Sequence, residues 1–273
     1  MKKEMLKWTA FTLVFIGLVS LSACRKDKEE DLFDSDSLSN ESISSMAEKS
    51  ISDEEDGMTL KSGTDGCGSN WPIATCAIVT EDSDTYPKTI TVDYGDGCID
   101  LHGRTKSGKI FIHLTDELIN TNAIRTVTFD NYKINGVQIA GTRITTNTGT
   151  NASGQPVFHR VVDVTFTYEG ASYQRDFDEI ITWISGWDTP ECNDNSISIS
   201  GSGSITRPSG VVVPRVILTP LTLQSGCGYI TSGVLQIQAP LGTFSINYGD
   251  GSCDDQASFT RPNGEVESFT LHH

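Results

Sequence analysis

The chain holds only five histidines, and none sits in a His-Glu-X-X-His arrangement. That removes the helical zinc-hydrolase signature, in which two ring nitrogens share one helix face. Its seven cysteines include no CxxC pair, so zinc ribbons and thioredoxin-type redox sites are excluded as motifs. No Gly-X-Ser-X-Gly elbow marks a serine nucleophile. Basic residues are scarce as well, 20 against 36 acidic ones, for a net charge of -16. With no basic stripe to meet phosphates, nucleic acid is not a partner. From about Thr64 onward no segment keeps apolar residues at helical spacing for three turns, which excludes a helical domain.

The informative features lie first at the N-terminus. Lys2 and Lys3 precede an apolar run from Trp8 to Val19, and Leu21-Ser22-Ala23-Cys24 follows. A charged region, a short apolar core and small residues at a cleavage point make a secretory signal. The apolar run is too short to span a bilayer comfortably. Leu21-Ser22-Ala23-Cys24 resembles the lipobox of bacterial lipoproteins, and that resemblance implies acylation of Cys24 as the first mature residue. The alternative is an ordinary signal cut after Ala23, leaving a free thiol. Parity favours the lipobox, because removing Cys24 leaves six cysteines, an even set suited to disulfides in an oxidising compartment. Residues 1–23 are thus read as signal peptide.

Residues 24–63 are rich in Ser, Asp and Glu and carry Phe33 as their one aromatic; residues 25–63 have a net charge of -7. Such a composition buries too little apolar surface to offset its ordering entropy, so it reads as a disordered acidic tether behind the lipidated cysteine. Lys28-Glu29-Glu30 resembles the lysine-plus-acid address by which Bacteroidetes lipoproteins reach the outer face of the outer membrane. The expected location is the cell surface, with a periplasm-facing orientation as the alternative.

Residues 64–273 form one all-β domain in this reading. Runs of Val, Ile, Thr, Tyr and Phe alternate with polar residues and stop at Gly-containing turns. Ile124 to Ile134 meets Val137 to Thr146 across Asn135-Gly136, the strongest hairpin signal present. Phe158 to Tyr168 turns at Glu169-Gly170 into Ala171 to Ile184. Two further hairpins turn at Arg207-Pro208-Ser209-Gly210 and Arg261-Pro262-Asn263-Gly264. About a dozen strands in an antiparallel meander follow. The expectation is a large two-sheet sandwich, since one sheet would leave an apolar face uncovered; the alternative is a single curved, elongated sheet.

An internal repeat relates segments near 76–114 and 227–271. Ile90-Thr91-Val92-Asp93-Tyr94-Gly95-Asp96-Gly97-Cys98 is echoed by Phe244-Ser245-Ile246-Asn247-Tyr248-Gly249-Asp250-Gly251-Ser252-Cys253. Asp100 and Asp254 follow the cysteines, and Gly-centred hairpins are expected at Ser107-Gly108-Lys109 and Asn263-Gly264-Glu265. Cys76 and Cys227 stand upstream at similar distance. The repeat predicts Cys76–Cys98 and Cys227–Cys253 disulfides, leaving Cys67 to pair with Cys192. The Tyr-Gly-Asp-Gly pattern in a cysteine-stapled β domain resembles surface lipoproteins of the Bacteroidetes type. That resemblance implies no activity and transfers one functional residue, Cys24.

Two sets of residues offer a site. Asp93, Asp96, Asp100, Asn247, Asp250 and Asp254 supply oxygens of the kind calcium takes, but the EF-hand spacing is missing; the other reading is turn structure, with Asp96 bonding its own backbone. Trp183 and Trp187 flank a short turn and would form an aromatic platform for sugar rings if exposed, or core if buried. No catalytic residue and no cofactor besides that calcium reading is indicated. The expected role is non-enzymatic, carbohydrate or protein attachment at the envelope or a part in a surface assembly, held to the membrane through acylated Cys24. The alternative is a hydrolase of polysaccharide or peptide, which needs distant acids or a histidine joined in one pocket.

Overall fold

The structure, a computed structural model, describes residues 77–100, 103–189 and 194–271. The signal peptide, the tether, Cys24, Cys67, Cys76 and Cys192 lie outside the described residues. Fourteen strands are present: β1 (Ile78–Glu81), β2 (Lys88–Asp93), β3 (Cys98–Ile99), β4 (Thr105–Leu114), β5 (Ile124–Ile134), β6 (Val137–Thr150) and β7 (Pro156–Tyr168), then β8 (Ala171–Ser185), β9 (Ser196–Thr206), β10 (Val212–Gln224), β11 (Ile230–Ala239), β12 (Gly242–Asp250), β13 (Gln256–Thr260) and β14 (Val266–Thr270). Among the described residues there is no helix.

All fourteen belong to one sheet, in which every strand on the path from β1 to β14 pairs antiparallel with its successor, and β3 pairs with β4 beside that path. The expected all-β antiparallel meander is therefore present, but its strands are not divided into two sheets. The cause is local. Most successive strands are joined by short turns that return the chain at once, so each finds its partner next in sequence.

The turns behave as their residues require. Asn135 and Gly136 take φ of 48° and 81°, and Glu169 and Gly170 take 49° and 82°. Consecutive positive φ values make the primed turn whose twist matches two antiparallel strands. Gly108 departs from expectation. It lies inside β4, where the β4–β5 register shifts between Ser107 and Lys109. A Cβ there would stand 2.3 Å from the Asn131 carbonyl oxygen, so this glycine permits a bulge and close strand approach rather than a hairpin. The two copies of the repeat thus share a strand that runs into Gly-Asp-Gly, but they diverge there: Gly95 and Asp96 form a turn after β2, whereas Gly249 and Asp250 still belong to β12.

One face of the sheet is buried and the other exposed. Strand alternation sends Ile112, Val127, Val162, Phe177, Ile237 and Phe244 to the buried face, each at 4% exposure or less. Register puts them in one row, since Ile112 faces Val127, Val162 faces Phe177 and Ile237 faces Phe244. A fully buried side chain of this kind contributes about 1.5–3 kcal/mol. Register shifts in β5, β6, β10 and β11 bend the strands locally. Gly203 keeps the row continuous: the Phe177 ring lies against it, 2.4 Å from where a Cβ would be.

Candidate functional site

The residues proposed for calcium are occupied as turn and ion-pair partners. Asp93 accepts the Gly95 N–H at 2.8 Å and pairs with Lys109 at 2.8 Å. The Lys109 ammonium, with the Gly95 N–H, holds its carboxyl below the usual range. Asn247 accepts the Gly249 N–H at 3.0 Å, Asp250 the Ser252 N–H at 3.1 Å and Asp254 the Gln256 N–H at 3.0 Å. These are side chains closing their own backbone two residues on. Asp96 is exposed in its turn. Among the described residues no group of three or more His, Cys, Asp or Glu side chains is arranged to hold a metal ion.

Asp100 is different in kind. It is buried, and its carboxylate accepts the Arg104 Nε–H at 2.6 Å, the Arg104 backbone N–H at 2.9 Å and a contact from Lys106 Nζ at 3.2 Å. Burial pushes its pKa up, but Arg104 and Lys106 together outweigh that and hold it below the usual range. Lys106 is itself fully buried, with its ammonium 5.5 Å from the Tyr94 ring centre. Asp100 therefore closes an internal ion cluster under the first Gly-Asp-Gly turn and does not face the other five oxygens.

Trp183 is 2% exposed and lies on the buried face of β8, so it is core and not a sugar platform. Phase decides this, because Phe177, Ile181 and Trp183 are two or four residues apart. Trp187 is half-buried in the segment after β8. Cys227 and Cys253 form a disulfide. Cys98 is also disulfide-bonded, while the other cysteines of the expected pairings, Cys76, Cys67 and Cys192, lie outside the described residues.

The polar cluster absent from the sequence reading lies on the buried face of β5–β10. Arg125 faces Thr145, Thr145 faces Arg160 and Arg160 faces Glu179. Arg143, Arg175 and Arg215 share that face through Val162, Val164 and Gly203. Glu179 is the hub. It accepts the Arg160 Nε–H at 2.7 Å and Nη at 2.5 Å on one oxygen, and Arg175 at 3.3 Å on the other. Burial pushes the Glu179 pKa up, and Arg160, Arg175 and Arg143 overcome it, so the net shift is down. The Arg175 guanidinium also stacks 3.8 Å over the Phe177 ring. A signal for this cluster was present. Arg160 falls in phase with Phe158 and Val162, and Glu179 with Phe177 and Ile181, so alternation alone assigns them to the core.

The exposed face has another character. Register runs a second row through Thr126, Ile144, Val161, Asp178, Ser202, Val216, Gln236, Ser245 and Thr260. Serines recur at every outward position of β9 from Ser198 to Ser204. Ile144, Val161 and Ile180 add exposed aliphatic surface. Asp163 faces Asp176 directly, and Gln174 bridges them through its amide. His159 pairs with Asp178 at 2.9 Å at the edge of the aliphatic patch.

No protein-family model, no curated protein and no solved structure matches this chain.

Proposed function

We propose that this is a lipid-anchored protein of the bacterial cell envelope whose role is non-enzymatic binding or attachment. The observation that carries the reading is the exposed face of β6–β9, a broad surface of hydroxyls with aliphatic groups and acids interspersed. Such a surface offers many weak, regularly spaced hydrogen bonds and small apolar contacts, which suits an extended polar partner, a glycan or another envelope protein. The anchor rests on Leu21-Ser22-Ala23-Cys24 behind its signal region, with Lys28-Glu29-Glu30 favouring the cell surface over the periplasmic side. Several acyl chains, each methylene contributing about 0.8 kcal/mol, would hold the protein firmly.

The binding surface lies on the outward face of the single sheet. The test is a glycan array probed with the mature chain, run with calcium and with chelator. Binding that is lost on replacing Ser200 and Ser202 by Glu supports attachment through this face. Binding abolished by chelator would return the Gly-Asp-Gly acids to the role of ligands. No binding in either condition removes the glycan partner and leaves an envelope protein as the partner to seek.

A further inference from the structure

The sheet path ends at β14, and among the described residues that strand pairs with β13 alone. Four of its five residues are exposed and Phe269 is half-buried. Hydrogen bonds at the two ends of the β13–β14 hairpin fix which backbone groups face outward. The Arg261 N–H donates to the Glu265 carbonyl at one end, and the Leu271 N–H to the Asp255 carbonyl at the other. Opposed residues of an antiparallel pair alternate between bonded and unbonded, so Phe259–Glu267 and Ala257–Phe269 are the bonded pairs between those ends. The N–H and C=O groups of Val266, Ser268 and Thr270 therefore point away from β13, along the outer edge. Such an edge is a template for another strand, and proteins that keep theirs free place lysine, proline or a bulge on it. The β14 strand reads Val-Glu-Ser-Phe-Thr and keeps its register with β13 unbroken, so it has none of these devices. Its one charge, Glu267, shares a face with Phe259 and is bonded to Arg261 at 3.0 Å.

We propose that β14 pairs antiparallel with β14 of a second copy of this chain, about a two-fold axis at Ser268. The strand is complementary to itself in that register. Ser268 meets its own counterpart, Val266 meets Thr270, and Glu267 meets Phe269. The three outward residues are then the bonded ones on both strands, which gives about six backbone hydrogen bonds. Charge selects this arrangement over an in-register parallel pairing, which would set Glu267 beside Glu267 on adjacent strands. In the antiparallel register each Glu267 faces a phenylalanine and keeps Arg261. Directly opposed residues share a face, so the half-buried Phe269 gains a neighbour on the inner face. On the outer face Val266, 62% exposed, gains Thr270. The axis stands perpendicular to the sheet, so inner face continues into inner face and the outward faces of both copies point the same way. The assembly closes as an isologous dimer, because each copy's β14 is used once. This inference depends neither on lipidation of Cys24 nor on a ligand at the outward face.

The experiment combines sedimentation equilibrium with thiol cross-linking on the mature full chain. A five-residue strand makes a small interface, so half-dimerisation is expected on the order of 100 µM. The weight-average mass then rises roughly 1.5-fold between about 10 µM and about 1 mM. Ser268→Pro removes the central outward donor without touching the β13 bonds. It is expected to abolish that rise while leaving Tm within about 2 °C of wild type. Ser268→Cys under mild oxidant is expected to give a covalent dimer joined at position 268 of both copies, because the Cα atoms of a bonded pair lie about 5.5 Å apart, within disulfide range. Thr270→Cys is expected to give none, since its two copies stand four residues apart, about 14 Å. A constant monomer mass up to the highest concentration overturns the proposal. So does association of Ser268→Pro equal to wild type, or cross-linking at position 270 as efficient as at 268. A mass that climbs past the dimer would assign the edge to a head-to-tail contact and overturn it equally. If Ser268→Pro fails to fold, the two cysteine variants decide alone.

Discussion

Replacing Glu179 by Gln removes one negative charge from the centre of the buried face while preserving shape. Glu179 is 2% exposed, Arg160 reaches one of its oxygens through two nitrogens, and Arg175 reaches the other. The amide can still accept from Arg160, but its second donor hydrogens then point at guanidinium groups. Breaking a buried pair by removing one partner costs about 3–5 kcal/mol, because the remaining charge stays desolvated. Retained volume and one surviving acceptor place the expectation at the lower end, about 3 kcal/mol. For a domain of this size that lowers Tm by roughly 6–12 °C. The control is Asp178→Asn, the preceding residue on the opposite face, whose side chain is 69% exposed in its pair with His159; its loss is expected below about 1 kcal/mol. Urea unfolding followed by tryptophan fluorescence reads both, since Trp183 is buried on the same strand. Equal, small losses for the two variants would refute the hub role of Glu179.

Acid titration follows from the same residues. The folded-state pKa values of Glu179 and Asp100 are lowered, so their contribution is complete above the unfolded carboxylate range and is lost as pH falls through the folded values. Stability from urea midpoints should therefore decline on acidification below about pH 4, and Glu179→Gln should flatten that decline. Gly203→Ala should cost more than about 2 kcal/mol, because its Cβ would meet the Asp176 carbonyl oxygen at 2.1 Å and the Phe177 ring at 2.4 Å. Gly210→Ala, at φ 81° in open space, should cost only the left-handed backbone penalty of about 1–2 kcal/mol; a thermal-melt comparison that reverses the order contradicts the packing. Removing the Cys227–Cys253 bridge, which closes 26 residues, should lower stability by roughly 3 kcal/mol in denaturant titration.

What was legible in the sequence is what local chemistry dictates. Asn135-Gly136 and Glu169-Gly170 announced their hairpins because consecutive positive φ leaves few other residues eligible. Gly108 misled for a related reason. A glycine between Ser107 and Lys109 reads as a turn, yet it serves the approach of Asn131 on the neighbouring strand, a long-range contact with no local sign. Grouping of the strands into one sheet depends on pairing, which periodicity does not encode. Trp183 and the arginine cluster were accessible in principle. Their phase with Phe158, Val162, Phe177 and Ile181 assigns them inward, but charge invites an outward assignment, and only the paired carboxylate on the next strand makes burial affordable. The oxygens of the two Gly-Asp-Gly copies show the limit of composition. Six such groups suggest a cation, while their spacing places most of them on their own backbone amides two residues on.

The account rests most heavily on Cys24 as a membrane anchor, and intact mass spectrometry of the protein from a bacterial envelope fraction tests it directly. A mature chain beginning at Cys24 and heavier than its sequence by the mass of a diacylglyceryl group and an N-acyl chain is the expected result. A chain beginning at Cys24 with a free thiol, or one retaining residues 1–23, would contradict it.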